Sequence, residues 1–300
     1  FVDNNLPDGG NPATITYELG NEDLIVVSGV TSTNDGVVYG TGIAWSTNSG
    51  DTWTFTEQPT DQIPDCESIT NPAMCAPAIN GCIYNPNNTP NCTYQGSALP
   101  FNWNGMTLYS NPITVVELNI SYDISVDLNS GYIYIASWAG MLRRLNFTAQ
   151  NPTWQLVPLP LDNDLSVPCG GYSNSYVYNP VDPIWNGNLN SGGNHNHKPY
   201  SVHIENNEIW VGTASGVNKG IISGNCIDWT HYTTSAGLSG DWVVDVVPQD
   251  IGNSDPRMWL ISWDLVSPVM PHGLTYSDDG GDTWIIVNQF NDPQDGGTES

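Results

Sequence analysis

Two eight-residue segments near opposite ends of the 300-residue chain share the pattern S-x-(D/N)-x-G-x-T-W. An Asn or Asp at the third position caps a tight turn by accepting backbone N–H groups, and the glycine tolerates a positive φ. Threonine and tryptophan then favour the start of a new strand. We therefore expect each segment, called a turn box below, to join two antiparallel strands. The shared residues are Ser46, Asn48, Gly50, Thr52 and Trp53 in the first box and Ser277, Asp279, Gly281, Thr283 and Trp284 in the second.

Weaker copies of the box ending, at Thr153-Trp154 and Asp228-Trp229, extend the repeat along the chain. Each copy closes a unit of four short strands with turns rich in Gly, Asn and Asp, which is typical of a β-propeller blade. No segment has the pattern of a long helix. The predicted fold is therefore all-β, a β-propeller of four-stranded antiparallel blades in a single domain over 1–300. We place the blades at about 13–57, 122–158, 200–234 and 242–288, with long loop insertions at 58–121 and 159–199.

Four blades are few for a closed ring. We expect the chain to be an incomplete part of a larger propeller; alternatively, the first insertion supplies a degenerate blade with candidate strands at 106–109 and 113–118. Loops on a rigid scaffold often carry function, so we expect the two insertions to build the functional face.

The turn box resembles the Asp-box, or BNR repeat, of sialidase-type and sortilin-type β-propellers. In those families the box is structural and lies on the outer hairpin of a blade. Further segments resemble large secreted bacterial surface proteins that combine Asp-box propeller repeats with a sorting domain for type IX secretion. This resemblance implies an extracellular or cell-surface protein with a binding or structural role, and it supplies no catalytic residue. The segments that carry it include 118–125, 136–143, 209–219 and 238–244.

The charge balance narrows the range of partners. The formal net charge is −26, and only five residues are Lys or Arg. Nucleic-acid binding needs basic residues that neutralise phosphates, so no nucleic-acid partner is expected, and anionic membrane surfaces are disfavoured for the same reason. No apolar run reaches the length of a membrane span, so no membrane insertion is expected. Such acidity suits a salty external medium, where ions screen self-repulsion.

Six cysteines indicate an oxidising compartment. Four of them fall within the first insertion, where two disulfides would stiffen a loop with little core of its own. The remaining two could form a third bridge. A four-cysteine zinc site is the alternative, but the closely paired C-x₂₋₄-C spacing of zinc sites is absent. The six residues are Cys66, Cys75, Cys82, Cys92, Cys169 and Cys226.

Metal and cofactor signals are weak. His195 and His197 are two residues apart in a loop and His203 lies nearby, so the three could ligate a metal, although loop histidines more commonly form ordinary hydrogen bonds. Asp162-Asn163-Asp164 could bind calcium through oxygen ligands, with a solvated turn as the alternative. No cofactor is expected beyond this possible calcium ion.

The residues support three hypotheses for function. The first is a binding or structural role with an extracellular glycan or protein as partner, in which Trp103 and Trp185 of the insertions contact the ligand. The second is a glycoside hydrolase that uses paired carboxylates in the propeller funnel. The third is a self-assembling subunit of a filament or surface layer. Sialidase activity is disfavoured, because Arg143 and Arg144 are adjacent on one strand, point to opposite faces and cannot both join a three-arginine site.

Overall fold

The computed structural model describes most of the chain: residues 11–20, 23–75, 82–87, 89–94, 98–114, 116–180, 182–185, 188–190, 193–252, 255–263, 272–287, 290–291 and 298–299. Over these residues the fold is all-β and contains no α-helix. Its helical turns are short 3₁₀ segments at Cys66–Ser68, Pro72–Met74, Val116–Asn119, His195–His197 and Thr234–Ala236.

The first half of the chain forms two four-stranded antiparallel sheets separated by the first insertion. The first sheet consists of β1 (Asn11–Leu19), β2 (Leu24–Asn34), β3 (Val37–Ser46) and β4 (Thr54–Glu57). The insertion contributes β5 (Cys82–Tyr84), β6 (Cys92–Tyr94), β7 (Leu99–Trp103) and β8 (Met106–Ser110). The second sheet consists of β9 (Asp123–Asp127), β10 (Tyr132–Ser137), β11 (Met141–Asn146) and β12 (Trp154–Leu156).

The second half repeats this plan. The second insertion contributes β13 (Ser166–Val167), β14 (Val177–Tyr178), β15 (Asp182–Trp185) and β16 (Asn188–Asn190). The third sheet consists of β17 (Pro199–Glu205), β18 (Glu208–Thr213), β19 (Gly216–Ser223) and β20 (Cys226–Tyr232), with β13 added at its outer edge. The fourth sheet consists of β21 (Trp242–Gln249), β22 (Arg257–Trp263), β23 (His272–Ser277) and β24 (Ile285–Val287), and the short pair β25 (Phe290–Asn291) and β26 (Thr298–Glu299) follows it.

Alternation along the strands explains how the sheets stack, because successive side chains of a strand point to opposite faces. On β10, Ile133 and Ile135 pack into a core shared with the first sheet, whereas Tyr134 and Ala136 pack into a core shared with the third. A further core joins the third and fourth sheets, with Trp210 on one side and Leu260 on the other. The four sheets therefore pack face to face in chain order, as consecutive propeller blades do.

The first strand of each sheet is its innermost strand. Contacts run from β1 to β9, from β9 to β17 and from β17 to β21. Among the described residues, no strand of the fourth sheet makes a comparably extensive contact with the first sheet. The four innermost strands thus follow one arc, and their two ends form the two faces on which a ligand could bind along the axis.

The insertions are joined to each other instead of forming separate loops. β14 of the second insertion pairs in parallel with β8 of the first, which gives the three-stranded sheet β14-β8-β7. The candidate strand at 106–109 thus lies within β8, but the one at 113–118 was wrong in its described residues, where Val116–Asn119 form a 3₁₀ turn. Two tyrosine hydroxyls also hold the second insertion in place: Tyr172 donates to the carbonyl of Pro158 at 2.7 Å, and Tyr176 donates to that of Leu159 at 2.8 Å.

Candidate functional site on the innermost strands

Three aromatic side chains mark the beginning of successive innermost strands. Tyr122 directly precedes β9, Tyr200 is the second residue of β17, and Trp242 opens β21. The rings of Tyr122 and Tyr200 have centroids 6.1 Å apart, and those of Tyr200 and Trp242 are 5.9 Å apart. These three residues form a continuous aromatic row across three sheets. Tyr122 is 50 % exposed, and the other two rings are partly exposed, so the row is open to solvent.

The turn between β10 and β11 extends this row. Trp138 lies in that turn, and its side chain is within hydrogen-bonding reach of the Tyr200 hydroxyl. The ammonium group of Lys198 lies 5.7 Å from the Trp138 ring centroid, close enough for a cation–π contact. The end of the arc where the innermost strands begin therefore carries an aromatic surface with one buried cation beneath it.

A carboxylate follows the aromatic row on β9. Asp123 accepts the backbone N–H of Ile124 through Oδ1 and that of Val202 through Oδ2, both at 2.8 Å. Burial raises the pKa of Asp123 to about 6, and the charge of Asp245 adds to the increase. Asp245 lies at a register shift in β21 and accepts the N–H of Val246 at 2.9 Å. Two carboxylates on innermost strands thus interact electrostatically near the aromatic row.

The opposite ends of the innermost strands surround a cavity of about 400 Å³. Its lining is acidic: Glu18 comes from β1, Asp127 from β9 and Glu205 from β17. Burial raises the pKa of Glu18, and the charge of Glu205 contributes to the increase. His203 also lines this cavity, with Nε2 3.8 Å from a Glu205 carboxylate oxygen, and burial lowers its pKa despite that neighbour. The cavity suits cationic or hydroxyl-rich groups and disfavours anions.

The two turn boxes form the same hydrogen-bond network. The hydroxyl of Ser46 accepts the N–H of Gly50 at 2.9 Å, and Asn48 Oδ1 accepts the N–H of Thr52 at 2.9 Å. In the second box, Ser277 accepts from Gly281 and Asp279 accepts from Thr283, each at 2.8 Å. The boxes join β3 to β4 and β23 to β24 on the outer side of their sheets. The polar side chains of both boxes are engaged in hydrogen bonds within the box itself, which gives these residues a structural role.

The remaining box residues pack or bond locally as well. The indole of Trp53 donates to the carbonyl of Gly50 at 3.0 Å. Trp284 packs edge to face against Trp210 and Tyr232 in the core between the third and fourth sheets.

The two tryptophans predicted to contact ligand have different outcomes. Trp103 is only 2 % exposed, lies in the core beside the second sheet, and has the guanidinium of Arg144 4.9 Å from its ring centroid. Its expected role as an exposed contact is therefore corrected: a buried ring stacked on a cation offers no free face to a ligand. Trp185 ends β15, and its side chain lies outside the described residues.

The three histidines considered as metal ligands have separate surroundings. His195 is exposed, whereas His197 is buried, and its Nδ1 accepts the N–H of Asn179 at 2.9 Å. His203 lies beside Glu205, as described above. Over the described ranges there is no group of three His, Cys, Asp or Glu side chains with metal-binding geometry. In the segment 162–164, considered above as a calcium site, Asp162 Oδ1 accepts the N–H of Asn196 at 2.7 Å. This bond ties the segment to the 3₁₀ turn at His195–His197.

All six cysteines are paired, which removes the zinc alternative. Cys66 bonds to Cys82 and Cys75 to Cys92, so the first insertion contains the two expected bridges. The third bridge, between Cys169 and Cys226, connects the second insertion to the third sheet. Among the described residues there is also no helix long and apolar enough to cross a membrane.

Each arginine is held by structural contacts. Arg143 forms an ion pair with Asp61 at 3.0 Å, and Arg257 pairs with Asp278 at 2.6 Å. Arg144, on the opposite face of β11 from Arg143, stacks over Trp103 and over Tyr132. None of the three is presented to the axis as a carboxylate-binding group would be.

The aromatic row was missed by the sequence analysis, although a signal existed. In the repeat alignment, an aromatic residue stands at the start of the innermost strand in three of the four units, at Tyr122, Tyr200 and Trp242. Functional residues are more common in loop insertions than on strands, so the sequence pattern did not predict these three positions as ligand contacts.

Comparison with known proteins leaves the family open. No protein-family model matches the chain, and no curated protein matches it. Among solved structures, the chain is similar to the crystal structure of Sqt1 from Saccharomyces cerevisiae, with 10 % sequence identity and a TM-score of 0.30. The alignment covers 92 % of this chain and 58 % of the Sqt1 chain. A likeness this loose assigns neither a family nor a function.

Proposed function

We propose that this protein is a secreted or cell-surface binding protein that holds a neutral or amino-sugar glycan against its aromatic row. The row of Tyr122, Tyr200 and Trp242 carries the proposal. Flat aromatic rings offer large apolar contact area at low entropic cost, and sugar rings have apolar faces that match them. The adjacent carboxylates Asp123 and Asp245 supply acceptors for sugar hydroxyls or amines.

Charge favours this class of glycan over acidic ones. The net charge is −26, and the arginines are engaged in structural contacts. An anionic glycan would meet a repulsive field without a free arginine to offset it. The three disulfides fit a location outside the cytosol, where such glycans are encountered.

Binding can be tested with cello-, chito- and manno-oligosaccharides, followed by tryptophan fluorescence and calorimetry. We expect Tyr200→Ala and Trp242→Ala each to weaken binding by about tenfold or more. Tyr109→Ala is the matched control, because Tyr109 is 42 % exposed but belongs to β8 in the first insertion. Absence of binding to every sugar class, or equal loss in the control, would contradict the proposal.

A glycoside hydrolase is the second candidate, favoured by one observation. Asp123 has a pKa raised to about 6 and a carboxylate neighbour in Asp245, and such pairs supply the acid and the base or nucleophile of glycosidases. A purely structural role for Asp123 is the alternative, because both of its carboxylate oxygens already accept backbone N–H groups. Release of reducing ends from the same oligosaccharides decides between them. A hydrolase requires that Asp245→Asn abolish turnover while binding persists.

A further inference from the structure

Within the described residues, each of the two outer sheets exposes apolar side chains on the face that points away from its neighbouring sheet. On the first sheet, Ile15, Tyr17, Leu19 and Leu24 are 59 %, 68 %, 74 % and 37 % exposed. Strand register places them on one face, since Leu19 pairs with Leu24 and their alternating neighbours Ile25 and Val27 face the second sheet. We call this surface the first open face.

The fourth sheet presents a second such surface, the fourth open face. Val247, Ile261, Trp263 and Ile285 are 42 %, 39 %, 44 % and 47 % exposed. The register again groups them, because Val247 pairs with Trp259, and Trp259, Ile261 and Trp263 alternate along β22. The intervening Met258 and Leu260 face the third sheet instead.

In the second and third sheets, the positions that correspond to the two open faces are covered by the neighbouring sheets. On β10 of the second sheet, Ile133 and Ile135 face the preceding sheet and Tyr134 faces the following one, and all three are fully buried. On β18 of the third sheet, Ile209 and Val211 face the preceding sheet and Trp210 faces the following one. The repeated interface therefore consists of an aromatic-bearing face packed against the aliphatic face of the next sheet.

The two open faces are the two halves of that same interface. The first open face is largely aliphatic and points where a preceding sheet would pack, with Leu24 and Val26 on β2. The fourth open face carries Trp259 and Trp263 and points where a following sheet would pack. A chain that carries both halves is complementary to a second copy of itself in a head-to-tail sense.

We propose that the fourth open face of one copy packs against the first open face of a second copy. Two such contacts, related by a twofold axis, close a dimeric ring in which every sheet is covered on both faces. Each copy carries a charge of −26, so the association should strengthen as salt screens the repulsion. The ring would enclose the axial cavity between the two copies.

Sedimentation velocity of the wild-type chain over a concentration series tests the contact. We expect a species of twice the 32.6 kDa chain mass, with association that tightens from low to high salt. Tyr17→Lys on the first open face and Ile261→Lys on the fourth should each weaken association by about tenfold or more. Leu165→Lys is the matched control, with the same charge change at a leucine that is 59 % exposed on the second insertion.

Mixing the two variants identifies the geometry. In a head-to-tail dimer, Tyr17→Lys mixed with Ile261→Lys retains one unaltered contact, so the mixture should associate more tightly than either variant alone. If only one of the two substitutions weakens association, the other face takes no part in the contact and the proposal is wrong. A wild-type chain that stays monomeric at its highest soluble concentration also overturns it.

Folding of the variants is checked by circular dichroism and thermal unfolding. If Ile261→Lys fails to fold, Trp263→Lys replaces it, and Leu19→Lys replaces Tyr17→Lys in the same way. Both replacements lie on the same two faces and are at least as exposed as the residues first chosen.

Discussion

Asp123 of the second sheet accepts the backbone N–H of Val202 in the third sheet at 2.8 Å. Two residues further along β9, the hydroxyl of Ser125 accepts the N–H of Ile204 at 3.0 Å. An innermost strand has an edge with unpaired amides, and buried amides need partners. Side chains of β9 thus accept hydrogen bonds from the free backbone edge of β17, and this junction connects the second sheet to the third.

The position of Asp123 in this junction predicts that the free energy of unfolding decreases as the pH rises towards neutrality. Its folded pKa of about 6 lies above the ordinary aspartate value of 3.8, so the folded state binds this proton more tightly than the unfolded chain does. The contribution of Asp123 to the free energy of unfolding therefore falls as pH rises from about 4 to about 6, by about 3 kcal/mol in total. Asp123→Asn has no such titration and loses one of the two acceptors. Denaturant unfolding from pH 4 to 7 should show the variant less stable at pH 4 and the gap narrowing towards pH 7; parallel curves would refute this.

For His197 we expect the opposite effect: its contribution to the free energy of unfolding decreases as the pH falls. Burial lowers its pKa from 6.5 to about 3, so the folded state keeps the ring neutral while the unfolded chain takes up a proton. Stability from this group is complete above pH 6.5 and is lost by about 1.4 kcal/mol per pH unit as pH falls towards 3. His197→Asn keeps an acceptor for the N–H of Asn179 and removes the titration. Its unfolding free energy should be lower at pH 7, because contacts with Tyr178 are lost, but should depend less steeply on acid.

The exposed His195 provides the control for that measurement. His195→Asn removes a histidine from the same 3₁₀ turn without emptying the pocket beside Tyr178. If both variants reduce the acid dependence of the unfolding free energy equally, the buried His197 ring is not the origin of that dependence.

The bridge between Cys169 and Cys226 should stabilise the whole fold. It closes a separation of 57 residues, and in the chain-entropy account such a loop is worth about 4 kcal/mol. Replacing both cysteines with alanine should lower the global melting temperature. Cys66→Ala with Cys82→Ala should instead expose the first insertion to limited proteolysis with a smaller global effect, since these residues form a small separate core. Identical melting curves for the first double variant and the wild type would contradict the expectation.

The two turn boxes offer a natural comparison between an amide and a carboxylate. Hydrogen bonds from Thr283 and Ser277 lower the pKa of Asp279 to about 2, so its stabilising contribution is present above about pH 4 and is lost as pH falls towards 2. Asn48 makes the corresponding bonds to Thr52 without titrating. Asp279→Asn should therefore keep the melting temperature near wild type and reduce acid sensitivity. Asp279→Ala should lower the melting temperature, and equal melting temperatures for the two variants would show that the side-chain hydrogen bonds at this position contribute no stability.

Local features were predictable because their causes are local. Asn48 and Gly50 determine a turn through bonds within eight residues, and the spacing of Cys66 to Cys92 confines two bridges to one loop. The opposite orientations of Arg143 and Arg144 follow from strand geometry alone, and the structure gives them different partners on the two faces of β11. Strand content and the disulfide grouping needed no knowledge of distant contacts.

The residues of the candidate site could not be predicted from local sequence in the same way. Trp103 lies in an insertion, and loop tryptophans are often exposed, but Arg144 and the second sheet bury it. His197 belongs to an H-x-H loop pattern that can hold a metal but more commonly forms ordinary hydrogen bonds, and tyrosines of the second insertion enclose its ring. In both cases the deciding neighbour is far away in the sequence.

The amino-acid sequence alone predicted the all-β repeat, the turns between its strands, the disulfide pairing of its cysteines and a strongly acidic charge that disfavours nucleic-acid binding. Those properties depend on the identities of neighbouring residues and on total charge. The folded structure was needed to show that β8 and β14 join the two insertions, that Tyr122, Tyr200 and Trp242 form one row, and that apolar side chains are exposed on each outer sheet. Alternation shows that a strand has two faces, but which neighbour each face meets depends on how the sheets stack.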